Sequence, residues 1–506
     1  MKRIPSLFLL CLFMVQLVPA QTLSEGEIRA AAHSVYPSGL TELMEFMKIP
    51  NLGSDSIMVA QNLKWCEETF TSLGFRTTVL PTSMAPLLFA EKKVSPRKKT
   101  ILFYLQIDGQ PVDVAEWDQE DPFNPVIKRK EEDGTWSPVS WDGKSLPDPD
   151  WRVFGRSASD SKGPALAFIS ALEYLKEHGI KPEFNIKVVM DFQEELGSPS
   201  LPVAVSENRD LFGADMVLIM DGTRHISNWP TLCFGARGIA TAKIRVFGPY
   251  APLHSGQYGN YAPNPVFEAG RLISSFKDER GRVLVKGFYD GVTLTDEEKK
   301  ALGSLPENED SLRHRLGIHQ RDAVGENYQE SLQYPSLNIR GLQSGWVGKE
   351  VRTLIPDIVD IELDMRLVPE TPGERLVGLL EEHMKTQGFH LVDTLPTPEE
   401  RAKYPKLASL EYRLGSLPFR TDIHSATGRY LNRALSRVFG DKVVKMRTTG
   451  GSQPIAPFIR TLNVPAVSVR IPNPDNNIHA PNENLRLGNF LEGIESCLAI
   501  LNEPLK

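Results

Sequence analysis

Thr100-Ile101-Leu102-Phe103-Tyr104-Leu105, running on into Gln106-Ile107-Asp108-Gly109, is the stretch on which the fold turns. Its apolar residues do not alternate with polar ones. That pattern predicts a strand covered on both faces, with its last residues delivered to a loop. Two other runs have the same character: 186–192, ending at Gln193-Glu194-Glu195, and 216–220, ending at Asp221-Gly222. Residues 162–178 instead repeat Ala165, Leu166, Ile169, Leu172 and Leu175 at helical spacing, with Gly179 suited to the C-terminal cap. A further helix is predicted over 24–48, with Ile28, Leu40, Leu43 and Phe46 as its apolar positions. Buried strands alternating with helices predict an α/β fold built on a mainly parallel sheet.

The pattern changes further along the chain. Residues 113–150 are rich in Asp, Pro, Gly and Trp and read as a long surface excursion. Near Gly235 the strands begin to alternate, as in 239–247. A helix over 264–276, short strand over 336–339, strand over 358–367 and helix over 374–386 before Gly388 follow. One wet sheet face with helices on the other predicts a smaller α+β domain inserted into the first. From about residue 415 the α/β style returns, with a strand over 466–471 before Pro472-Asn473-Pro474.

Composition excludes several classes. The chain has 506 residues, 41% of them hydrophobic and 24% charged, which is globular rather than disordered or polytopic. Fifty-seven basic against 64 acidic side chains leave a net charge of -7, so no broad basic footprint for nucleic acid exists. Lys2-Arg3, an apolar run from Ser6 to Val18 and Pro19-Ala20 before Gln21 have the layout of a secretory signal peptide over 1–20. Its removal leaves 55 basic side chains and a charge of -9, with no membrane segment in the mature chain and a periplasmic or extracellular location. Cys66, Cys233 and Cys497 then remain, an odd number far apart in sequence. At most one pair forms among them, and all three suit buried thiols.

Acids stand where an open α/β sheet gathers its ligands, beyond the carboxyl ends of the strands. Asp108, Glu194, Glu195 and Asp221 each close a strand. Asp160 lies in Gly155-Arg156-Ser157-Ala158-Ser159-Asp160-Ser161-Lys162-Gly163, just ahead of a helix. A fifth strand leads to Asn476-Asn477-Ile478-His479-Ala480-Pro481-Asn482-Glu483. Each acid alone reads as a helix cap or a solvated group. Carboxylates and a histidine on convergent loops together suit a divalent cation.

The joint pattern resembles the M20 family of metallopeptidases, in particular its carnosinase-like dipeptidase branch. Leu105-Gln106-Ile107-Asp108-Gly109-Gln110-Pro111-Val112 is similar to the family's G-H-x-D-x-Q-P-V. Residues 155–163 are similar to G-R-G-x-x-D-x-K-G, and Glu194-Glu195-Leu196-Gly197-Ser198 to E-E-x-G-S. Leu253-His254-Ser255-Gly256, Arg366-Leu367-Val368-Pro369, Gly450-Gly451-Ser452-Gln453-Pro454 and Ile478-His479-Ala480-Pro481 extend the match. The resemblance implies that Asp160 bridges two metal ions, with Glu195 and His479 completing one site and Asp221 and position 106 the other. It makes Glu194 the general base and Asp108 its catalytic neighbour, the residue that orients the ligand at position 106. It puts His254 on the lid, reaching a partner's active site, and has Arg366 hold the substrate's carboxylate in a site lined by Ser452. It implies one or two Zn²⁺ ions, with Mn²⁺ as the alternative, and a cis peptide after Asp160. It also implies a split catalytic domain at 24–234 and 398–506 around a ferredoxin-like lid at 235–397, and a homodimer through that lid.

Two positions depart from the family. Ser157 stands for the second glycine of G-R-G and requires a backbone angle that serine tolerates. Gln106 stands where the family has histidine, and its amide oxygen is a much poorer zinc ligand than imidazole. Asp108 would accept from the Gln106 amide and turn its oxygen toward a metal. The second site then persists with a harder ion, or one ion does the work, or the chain binds peptides without cleaving them. His225, four residues after Asp221, is an alternative ligand. The expected activity is hydrolysis of dipeptides or short peptides, with N-acyl amino acid deacylation on the same scaffold as the alternative.

Overall fold

The structure is a computed structural model that describes residues 22–505. The signal-peptide reading of 1–20 lies outside the described residues. The central element is an eight-stranded sheet in the order Arg76–Leu80, Leu87–Lys92, Asn185–Asp191, Thr100–Gln106, Met216–Ile219, Ala466–Arg470, Thr231–Cys233 and Val444–Met446. Its four middle strands are mutually parallel, and the strand next to them on either side joins them antiparallel. This is the mixed, mainly parallel α/β sheet that the unbroken apolar runs predict.

The reason for the unbroken run in Thr100–Gln106 is visible in its side chains. Ile101, Phe103 and Leu105 enter one core with the helices Glu25–Met47, Lys162–Glu177, Ala426–Phe439 and Leu487–Leu501. Leu102 and Tyr104 point the other way, into a second core with Leu201, Val205, Phe212 and Phe458. Successive strand residues face opposite sides, so covering both sides demands apolar residues at every position.

The inserted domain has a five-stranded sheet in the order Ser336–Gln343, Ile358–Leu367, Gly238–Phe247, Leu407–Leu414 and His390–Leu391. Strand Gly238–Phe247 alternates from Gly238 to Val246. Ala240, Ala242, Ile244 and Val246 are buried with helices Pro265–Phe276 and Gly373–Thr386, while Thr241, Lys243 and Arg245 face away. This half-wet sheet is the predicted α+β insert.

Three details differ from the sequence reading. Leu407–Leu414 pairs along its whole length with Gly238–Phe247, so the lid sheet reaches beyond the boundary expected at 397. Its exposed outer residues, Glu411 to Arg413, carry no sign of which sheet they join. The 113–150 excursion is partly ordered as strand: Val126–Lys130 and Trp136–Pro138 join Arg152–Phe154 and Asn484–Arg486 in a four-stranded antiparallel sheet. Residues 296–331 hold three short helices that the periodicity did not predict, because they are polar nearly all round. They are held instead by contacts to the larger domain: Glu298 to Arg447 at 2.7 Å and Glu307 to His225 at 2.9 Å.

Cys66, Cys233 and Cys497 are free and buried, as their spacing suggested. Among the described residues, no helix is long and apolar enough to cross a membrane.

Candidate metal centre and substrate cleft

The loops beyond the carboxyl ends of the middle strands meet at one place. Ligand atoms of Asp160, Glu195 and His479 all lie within 4.8 Å of one another. His479 Nε2 is 2.9 Å from Asp160 Oδ2 and 3.3 Å from Glu195 Oε2. Glu195 follows strand Asn185–Asp191, Asp160 precedes helix Lys162–Glu177, and His479 sits in the loop after Ala466–Arg470. The peptide between Asp160 and Ser161 is cis, as the resemblance implies, and Ser157 has the positive φ of 65° expected of a glycine position.

Asp221 joins the group through Ser161, whose hydroxyl donates to Asp221 Oδ1 at 2.7 Å and lies 3.0 Å from Asp160 Oδ1. Gly222 follows with φ of 91°, and a Cβ there would stand 2.8 Å from the Arg470 guanidinium carbon. Glycine is thus required both by the turn and by the cation packed behind Asp221.

Asp108 does something other than orient Gln106. Its two oxygens accept from the backbone N–H groups of Glu194 and Glu195, at 2.9 and 3.1 Å. Asp108 therefore sets the backbone of the Glu194–Leu196 turn, and with it the divergence of the two glutamates. Gly53 packs so closely on this carboxylate that a Cβ would fall 2.8 Å from Oδ2. Gln106 is 1% exposed, and its Nε2 has no hydrogen-bond partner. It ends its strand two residues past Tyr104, which pairs with Ile219, itself two residues before Asp221. His225 is buried between Ser227 and Glu307, each at 2.9 Å, so it faces away from the acids and is not a ligand.

The substrate-side candidates also meet. Arg366 Nη1 donates to Ser452 Oγ at 3.0 Å, joining the lid to the larger domain. His254 is exposed and caps the short helix Ser255–Tyr258, its Nδ1 accepting from Gly256 N–H. The chain does not bring it into contact with the acid cluster.

Glu483 carries a role that the sequence reading missed. It is 0% exposed and pairs with Arg156 at 2.7 Å. Its oxygens also accept from the backbone N–H groups of Ser157, Ser159 and Asp160 at 3.1, 2.8 and 2.9 Å. It lies four residues after His479, and that spacing within one motif was the available signal. Gln110 was missed as well; its amide donates to Glu195 Oε2 at 2.6 Å and helps to aim it.

Concentrating acids in a buried pocket is costly, and the proton affinities record the cost. Burial, then Asp221, Asp160 and Glu195, hold the Glu194 carboxyl well above the usual range. Burial and Asp160 push Glu195 up to about 9, and burial and Asp160 also raise Asp221. His479 is raised to about 9, chiefly by its hydrogen bond to Asp160. Glu195 Oε1 is buried without a partner. The orphaned Glu195 oxygen, the Asp160 carboxylate and the His479 imidazole form a donor set that fits a divalent cation. At the neighbouring position Gln106 and Asp221 offer a weaker set.

The family model described as peptidase family M20/M25/M40 matches residues 102–503. The Cys-Gly metallodipeptidase dug1 of Schizosaccharomyces pombe is 26% identical over 483 residues, covering 92% of this chain and 95% of that one. The human Beta-Ala-His dipeptidase is 27% identical over 424 residues, covering 83% and 77%. Among solved structures, the M20 family metallo-carboxypeptidase Sso-CP2 from Sulfolobus solfataricus superposes with a TM-score of 0.74 at 26% identity, covering 92% of this chain and 99% of that one.

Two outcomes follow. Glu483→Gln removes one partner of a fully buried ion pair, so unfolding by urea should show a loss of about 3 kcal/mol or more. The same variant should bind its cation about 10–100-fold more weakly in a chelator competition, since it loosens the Asp160 backbone. The second outcome concerns pH. Glu195 and His479 bind protons more tightly when folded than when unfolded, so the folded state holds extra protons between about pH 4.5 and 9. Their contribution to stability is therefore greatest at the acid end of that window and falls as pH rises through about 9. Thermal melting should show the metal-free protein losing stability from pH 6 to 9, and saturating Zn²⁺ should remove the loss.

The spacing of the acids, the meeting of Asp160, Glu195 and His479, and the match over 102–503 agree: this chain belongs to peptidase family M20/M25/M40.

Proposed function

We propose that the protein is a metal-dependent dipeptidase that hydrolyses the amide of substrates ending in a free carboxylate. The observation that carries this reading is the separation of two adjacent glutamates by Asp108. Glu195 is turned toward His479 and Asp160, while Glu194 is left free of the triad.

Asp160, Glu195 and His479 would hold the cation, with Asp221 and Gln106 beside them. A divalent cation there supplies Lewis acidity, polarising the scissile carbonyl and acidifying water. Glu194 accepts the proton from the attacking water and passes it to the leaving amine. Its place beside the triad, without being part of it, suits a group that must take a proton and then give it up. Arg366 offers a planar fork to the substrate's terminal carboxylate, with Ser452 fixing its direction. Zn²⁺ is the ion that the histidine and the two carboxylates suit best, and Mn²⁺ tolerates an amide oxygen from Gln106. The relatives that act on Cys-Gly and on β-Ala-His support a dipeptide as substrate. The leader read in residues 1–20 supports export to the periplasm or beyond. The exposed lid histidine, His254, supports a homodimer in which it serves the partner's site.

Purified protein with Zn²⁺ or Mn²⁺ should cleave members of a dipeptide panel with higher kcat/KM than the matching N-acetyl amino acids. Glu194→Gln should lower kcat about 10²–10⁴-fold with metal content unchanged. A panel without turnover, or one in which Glu194→Gln cleaves as well as wild type, would sink the reading. Gln106→His should raise the bound metal per chain in elemental analysis and tighten the weaker equivalent; no change in either would mean that the second position does not hold an ion.

A further inference from the structure

A cleft of about 670 Å³ opens between the lid sheet and the loops that follow the glutamate pair. One wall is apolar and belongs to the larger domain: Leu196, Pro199, Pro202, Pro454 and Pro457. The other wall is the wet face of the lid sheet, with Ile239, Thr241, Arg340 and Arg413. Two cations and no acid line it, in contrast with the acid-filled centre alongside. The cleft adjoins the substrate site on both walls. Leu196 directly follows Glu195, and Pro454 lies two residues after Ser452.

The sheet register relates the cleft to Arg366. Arg366 pairs with Ile239 across one side of strand Gly238–Phe247, and Arg413 pairs with Thr241 across the other side. Ile239 and Thr241 are two apart, so they share a face, and directly opposed partners share it too. Arg366 and Arg413 therefore rise from the same face. They are separated by two strand spacings and two residues, roughly 12 Å between backbones. The two arginines are not equivalent. Arg366 is occupied by Ser452, and Arg340 on the same wall is paired with Glu362 at 3.2 Å. Arg413 is exposed and has no hydrogen-bond or ion-pair partner among the described residues.

We propose that this cleft receives the side chain of the substrate's carboxyl-terminal residue, and that Arg413 selects an acidic one. This rests on the reading in which Arg366 holds the α-carboxylate. A residue so held projects its side chain along the lid face toward Arg413, with its methylene groups against the proline wall. Glutamate satisfies both walls. Its methylenes cover apolar surface, and its carboxylate gives Arg413 the partner it lacks. Glutamine has the same shape but offers no charge. Arg413 is a specificity residue and takes no part in the proton transfers.

The test compares Ala-Glu with Ala-Gln for the metal-loaded protein. Wild type should favour Ala-Glu by about tenfold or more in kcat/KM, most of it in KM. Arg413→Gln should bring the ratio close to one, Arg413→Lys should retain part of it, and Arg413→Glu should turn the preference toward Ala-Lys. A role in folding alone would lower both rates together and leave the ratio intact. Calorimetric titration with free L-glutamate and L-glutamine, the released products, reads the same selectivity without turnover. If no peptide is cleaved, the dipeptidase reading fails, and tighter binding of glutamate that Arg413→Gln abolishes still supports the cleft assignment. Equal binding and cleavage of the Glu and Gln forms by wild type, or a ratio unmoved by Arg413→Gln, would overturn it. A preference for Ala-Ala-Ala over Ala-Glu that vanishes in Arg413→Gln would overturn it too, by giving the cation to the end of a longer chain.

Discussion

The buried carboxylate of Glu483 ties the rest of the site together. The domain that carries the Asp160–Glu195–His479 cluster is interrupted by the inserted domain, so its two pieces must be joined by contacts rather than by chain. Glu483 arrives with the second piece and accepts four hydrogen bonds from the first: one from the Arg156 guanidinium and three from the backbone of residues 157–160. A fully buried charge survives only when it is paired and its remaining lone pairs are filled. That condition leaves little freedom in where the two loops can lie. Asp160 and His479 consequently meet at 2.9 Å although more than three hundred residues separate them.

A second buried acid repeats the device at the Glu194–Leu196 turn. Asp108 accepts from the two amides that begin the Glu194–Leu196 turn and is itself enclosed by Gly53. Neither Glu483 nor Asp108 belongs to the Asp160–Glu195–His479 cluster; each fixes the backbone of residues that do. Lys162 adds a third tie. It is fully buried, and its ammonium group donates to the carbonyls of Phe46 and Ile49, pinning the helix that follows Asp160 to the first helix of the chain. The electrostatic expense of gathering Glu194, Glu195, Asp160 and Asp221 is thus borne by a scaffold in which Glu483, Asp108 and Lys162 are each hydrogen-bonded to backbone groups.

The lid contributes a surface of different character. Its sheet buries one face in its own core, and the end of the other face near Ile239, Thr241 and Arg413 lies across the cleft from the larger domain. Arg366 contacts Ser452 there, and the helices in 296–331 dock through Glu298 and Glu307. Acids dominate the centre, while the charged residues lining the cleft are Arg340 and Arg413. A substrate that carries negative charge at its carboxyl end and a polarisable amide further in matches that division.

The fold and most of the centre were legible in the chain itself. An apolar run without alternation, such as Ile101 to Leu105, reports covering on both faces, and the alternation of residues 239–247 reports one wet face. Both follow from the two-residue period of a strand. Acids at strand ends, read in order with the Asp160 and His479 loops, marked the site, because a strand delivers its end to the carboxyl edge of the sheet. What the chain did not disclose were choices between partners. That Asp108 serves two backbone amides and not Gln106, that His225 turns to Glu307, that Glu483 joins the halves, and that Leu407–Leu414 belongs to the lid are all settled by groups distant in sequence. Local pattern reports how a residue is exposed and how its backbone runs. Which hydrogen-bond partner a buried polar group finds depends on what the folded chain brings within three ångströms, and only the tertiary structure decides that.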